Sequence, residues 1–129
     1  MAATTRESIL TSVKKMLGIQ EDYEHFDDDI IMHINSTFLI LNQLGVGPEE
    51  PFTVQDKMDA WDDFVPEGQI ELVKSYTYMR VRLMFDPPTS GFLLDSINKQ
   101  IAEFEFRMNV QAEKDKLYPA DMSGIFVDE

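Results

Sequence analysis

Asp86-Pro87-Pro88 interrupts the most regularly patterned stretch of the chain, and it constrains the fold more than any other feature. Proline has no N–H and a fixed φ, and it pushes the preceding residue out of the α region. A helix arriving at this point must therefore end near Phe85. A second can begin at once, with Thr89 or Ser90 offering a side-chain oxygen to the free N–H groups of its first turn. Tyr76, Arg80, Leu83 and Met84 fall at helical spacing before the break. Leu93, Leu94, Ile97, Ile101, Phe104 and Met108 do so after it, a stripe that must be buried against something. Two helices joined so tightly pack as an antiparallel pair.

The remaining chain supplies the partners. Residues 5–17 read as a helix capped by Thr4 or Thr5, striped by Ile9, Val13, Met16 and Leu17 and ended by Gly18. Residues 27–44 read as a second helix. Asp27 caps it, Ile30, Ile31, Ile34, Phe38, Leu41 and Leu44 line it, and Gly45 closes it. Residues 45–53, with Gly45, Gly47, Pro48 and Pro51, read as a loop. A short helix over 55–64, capped by Thr53, carries Met58, Trp61 and Phe64 on one side. Pro66 and Gly68 precede a fourth over 69–85. After Asn109 the pattern breaks down into charged residues and then Leu117, Tyr118, Pro119, Gly124, Ile125 and Phe126. The expected fold is all-α: a small antiparallel bundle of four to five helices over 1–110, with an extended C-terminal arm over 111–129. Leu117, Tyr118, Ile125 and Phe126 give that arm the apolar groups to dock on another protein.

Charge decides what the bundle does not do. Twenty-four acidic residues against eleven basic ones give a net charge of −13, which opposes ordinary nucleic-acid binding because phosphate neutralisation needs clustered Lys and Arg. No apolar run approaches the roughly 20 residues a bilayer span requires, and the N-terminal residues do not read as a secretory signal. The chain has no cysteine, so disulfides and thiolate metal sites are excluded. Asp27-Asp28-Asp29 near His25 and His33 invites a metal reading. Consecutive helical positions diverge by about 100°, however, and the aspartates suit a helix N-terminus better. No metal or cofactor is expected. Two histidines outside any triad setting, and no glycine-rich phosphate cradle, argue against catalysis. Arg80, Arg82, Arg107, Glu103 and Glu105 read as ion pairs within or between the last two helices.

The residues flanking the proline break resemble the head-to-tail connector (adaptor) proteins of long-tailed bacteriophages. The likeness lies in Val81-Arg82-Leu83-Met84-Phe85-Asp86-Pro87-Pro88 and in Ile101-Ala102-Glu103-Phe104-Glu105-Phe106-Arg107-Met108-Asn109, with a looser echo in Ala60-Trp61-Asp62-Asp63-Phe64. What the resemblance implies is a structural virion protein at the head–tail interface, assembled in the host cytoplasm and not an enzyme. Such proteins form a homo-oligomeric ring beneath the portal protein, twelvefold on the portal. The ring extends the DNA channel, lets genomic DNA pass without specific binding, and docks a tail-side stopper or tail completion protein. In such a ring two different faces of each copy meet. The basic positions Lys14, Lys15, Arg80 and Arg82 are then expected to meet acidic faces of the next copy. An acidic regulator that mimics DNA and occupies a DNA-binding protein is the alternative reading of the same charge.

Overall fold

Ser8 opens the first helix in the computed structural model of the protein, which describes residues 6–117. Its hydroxyl accepts from the Thr11 N–H (3.1 Å), so the cap of α1 (Ile9–Leu17) lies three residues later than Thr5. Gly18 ends α1 at φ 83°, the left-handed conformation that glycine adopts without a Cβ penalty. Asp27, Asp28 and Asp29 form the first turn of α2 (Asp27–Gln43), where carboxylates favour the positive end of the helix dipole. Phe26 rather than Asp27 occupies the capping position, and no side chain caps this helix. Gly45, at φ 88°, follows its last turn. A Cβ there would meet Ala112 Cβ at 2.9 Å, so the glycine also admits the last helix.

The chain from Gly45 to Ala60 is held by side chains rather than by repeating structure. Asn35 of α2 donates to the Val54 carbonyl and accepts from its N–H (3.0 and 2.7 Å), while Asn42 donates to the Pro48 and Glu49 carbonyls. The helix expected over 55–64 is reduced to α3 (Trp61–Phe64). Aspartates that compete for the backbone explain the loss. Asp59 Oδ2 accepts from the N–H groups of Gln55 and Asp56, and Asp56 Oδ1 accepts from that of Met58. Ala60 is extended instead, bridged to Ser8 through Ile9 N–H to Asp59 O (2.9 Å) and Trp61 N–H to Glu7 O (3.2 Å). No strand forms among the described residues.

A 3-10 turn (Glu67–Gln69) leads into α4 (Ile70–Phe85), which stops at the proline pair as expected. Ser90 then starts α5 (Gly91–Leu117), receiving the Leu94 N–H on its carbonyl. Instead of ending near Asn109, α5 continues through 111–117, residues assigned above to the arm. That segment is rich in Gln, Ala, Glu and Lys, good helix formers, and meets no Gly or Pro before Pro119. The rest of the expected arm, Tyr118, Ile125 and Phe126 included, lies outside the described residues.

The core sits around α4, which touches α1, α2 and α5. Ile9, Val13, Ile30, Ile34, Phe38, Leu41, Val73, Tyr76 and Val81 are all essentially solvent-free. Each such side chain contributes roughly 1.5–3 kcal/mol by leaving water. Trp61 fastens the short α3 to this core: it is buried, and its Nε1 donates to Ser12 Oγ at 2.7 Å. Phe64 stacks on Phe38 with ring centroids 4.0 Å apart. The result is the small all-α bundle expected from the sequence.

Candidate interaction surface

Side-chain locks orient α5, the helix that carries most of the unpartnered surface. Tyr76 donates its hydroxyl proton to Glu105 Oε2 (2.7 Å) and accepts from Arg80 Nε (3.1 Å), and Arg80 also ion-pairs with Glu105. Burial pushes the Tyr76 hydroxyl up to about 12, with the Glu105 hydrogen bond adding to the effect. Burial also works to raise Glu105, but its bonds from Tyr76 and Arg80 outweigh that and hold the carboxyl below the ordinary glutamate value. Further along, Met108 and Ala112 share one crevice with Leu72 and Val73. Residue numbers thus fall along α4 as they rise along α5, which makes the pair antiparallel.

The four basic positions expected to reach a neighbouring copy have different fates. Lys14 is 2% exposed, and its ammonium sits 2.8 Å from Asp27 Oδ1 while donating to the Glu21 carbonyl. The contact with Asp27 is an ion pair without hydrogen-bond direction. The expectation for Lys14 is therefore corrected: its charge is spent inside the subunit, joining α1 to the start of α2. Arg80 is committed to Glu105 and Tyr76. Arg82 donates to the Tyr78 hydroxyl (3.2 Å), a neutral partner that leaves its charge unbalanced. Lys15 is exposed, with no ion-pair partner among the described residues. Leu117, at the end of α5, is 68% exposed.

The sequence pattern of α5 held a second stripe that the reading above passed over. Phe92, Phe106, Val110 and Leu117 are separated by 14, 4 and 7 residues, all close to whole helical turns. They lie on one line nearly opposite Leu94, Ile97, Ile101 and Met108, and they are exposed: Phe92 by 80% and Phe106 by 70%. Over its 27 residues α5 buries only Ile101 and Met108 fully. Leu93, counted in the inward stripe, is about half exposed. On α2 a shorter outward line holds Met32 and Leu39, both more than half exposed, above Asp28 and Asp29.

Cavities offer less. An open cleft of about 490 Å³ lies where the end of α2 and the loop after it face the last turns of α5, lined by polar groups such as Asn42, Glu49, Asn109, Glu113 and Lys116. Among the described residues no group of three or more His, Asp or Glu side chains could hold a metal ion. None of the described helices is long and apolar enough to cross a membrane.

A protein-family model described as phage connector protein matches residues 9–115, from the start of α1 to the last turn of α5. No curated protein matches the chain, and neither does any solved structure.

Proposed function

The chain belongs to the phage connector protein family, and from that premise we propose that it forms a ring beneath the portal and extends the DNA channel toward the tail. Connectors of this kind are structural components of the head–tail junction. In this reading the subunit is a rigid wedge. Its interior ion pairs fix the helices, its outward faces bind neighbours, and the arm after α5 docks on a tail-side protein. A net charge of −13 suits a lumen that must let DNA slide, because phosphates are repelled rather than held.

One observation carries the proposal beyond family membership. In its second half α5 leaves Phe106, Val110 and Leu117 in water along one side, and an exposed apolar patch of this kind marks an interaction surface. Co-sedimentation with DNA-filled, tailless heads of the phage that encodes the protein tests it, followed by an assay for tail joining. Stoichiometric binding and restored tail attachment are expected. Failure to bind the heads would overturn the reading.

A further inference from the structure

α5 is joined to the bundle more thinly than the other long helices. Over 27 residues it buries only Ile101 and Met108 fully, whereas α1, α2 and α4, all shorter, bury five residues each. Ile97 and Phe104, on the same side of α5, are only partly covered. The helix packs on α4, and its later turns come close to Gly45 and Val46 of the loop after α2. The rest of the core closes without it. Ile9 and Val13 of α1, Phe38 and Leu41 of α2, and Trp61 of α3 share one buried cluster with Val81 of α4.

Polar ties are fewer still. Among the described residues, every side-chain hydrogen bond and ion pair between α5 and another helix ends on one carboxylate. That group is Glu105, which receives the Tyr76 hydroxyl at 2.7 Å and pairs with Arg80. The other bonded side chains of α5, Arg107 with Glu103 and Gln111 with Asp115, stay within the helix. At its start α5 hangs on residues 86–90. Asp86, Pro87, Thr89 and Ser90 are exposed, and the hydrogen bonds made there belong to the last turn of α4 or the first of α5. Exposed residues between the ends of two elements are where a hinge absorbs its change in backbone angle.

We propose that α5 is a clasped arm: it leaves α4 as one unit about the 86–90 linker while α1 to α4 stay folded, and Glu105 is the clasp. A helix with few buried apolar contacts and a single polar tie belongs to the least protected part of a fold. Opening uncovers Met108 on α5 together with Leu72 and Val73, which share its crevice on α4. The contact among Tyr76, Arg80 and Glu105 therefore decides whether this apolar strip is hidden or presented. The rigid wedge of the ring reading is the clasped form, and the opening does not depend on that reading.

Native-state hydrogen exchange of the full-length protein, followed residue by residue, tests the proposal. A single helix cut off from its packing partner is marginal in water, so each opening exposes all of the α5 amides. Those from Leu94 to Ala112 are expected to share one level of protection, at least about tenfold below that of the slowest amides of α2 and α4. Glu105→Gln should speed all of them by a common factor, roughly 5–30-fold, and Arg80→Met should act in the same direction. Glu103→Gln breaks a pair that stays within α5 and should move them by about twofold at most. α5 amides as slow as the slowest of α2 and α4 overturn the proposal, because the subunit then opens only as a whole. A response to Glu105→Gln confined to the turns around residue 105 also overturns it, since that is fraying and not release of a unit. The comparison within the unmodified protein stands by itself if a variant fails to fold.

Discussion

The Tyr76 hydroxyl donates to Glu105 Oε2 across 2.7 Å, fixing the middle of α5 against α4. Arg80 completes the lock by reaching both groups. Glu105→Gln keeps the shape but removes the charge. It is expected to cost about 1–2 kcal/mol, since hydrogen bonds to charged groups are worth more than neutral ones. A double-mutant cycle with Arg80→Met, read by urea unfolding, should give a coupling near 1 kcal/mol. Additive losses would mean that Arg80 and Glu105 act independently.

The same lock sets a pH dependence at each end of the scale. Tyr76 titrates near 12 when folded and near an ordinary tyrosine value of about 10 when unfolded. Its contribution is present in full below the lower value and is lost as pH rises through that window. Glu105 has a depressed pKa, so its contribution is present above the unfolded glutamate value and is lost as pH falls through the folded one. Tyr76→Phe should flatten the alkaline limb of stability, and Glu105→Gln the acid limb. Ultraviolet titration of the four tyrosines checks the first point, because the last to ionise should vanish in Tyr76→Phe.

Lys14 and Lys15 are neighbours in sequence with opposite expected behaviour. Lys14→Glu places a carboxylate against Asp27 in a site that is 3% exposed on the lysine side. Breaking buried pairs costs about 3–5 kcal/mol, and the partial exposure of Asp27 puts this one at the lower end. Lys15→Glu should change stability by less than about 0.5 kcal/mol. Thermal unfolding of the two variants distinguishes them, and equal effects would contradict the burial of Lys14.

Gly45→Ala meets two obstacles at once, a positive φ and a 2.9 Å approach to Ala112 Cβ. Strain of this kind costs more than about 1 kcal/mol. Hydrogen exchange should show the end of α5 loosening with it, because Ala112 sits there.

Trp61→Phe retains most of the buried aromatic volume but takes the 2.7 Å donor from Ser12 Oγ, leaving it only its own bond to the Ile9 carbonyl. A loss of about 1–2 kcal/mol is expected. Ser12→Ala in the same background should restore part of it, and the absence of any recovery would argue against the bond.

The sequence by itself determined where most helices start and stop. Gly18, Gly45 and Asp86-Pro87-Pro88 act through backbone conformation, which a residue carries wherever it sits. It also determined the all-α class, through apolar spacing that needs no partner to be read, and the Glu103–Arg107 pair, which a single helix turn brings together. The helix expected over 55–64 failed because Asp56 and Asp59 turn back on nearby N–H groups, a local competition that spacing alone does not rank. Tertiary structure alone decided which apolar face stays in water. Periodicity shows that α5 has two apolar lines, but only the position of α4 decides which is buried and leaves Phe92, Phe106, Val110 and Leu117 in water. In the same way Lys14 and Lys15 are equivalent as letters. They differ because the fold brings Asp27 within 2.8 Å of one and, among the described residues, no ion-pair partner to the other. Charge pairing between distant residues depends on distance in space, and the sequence does not contain it.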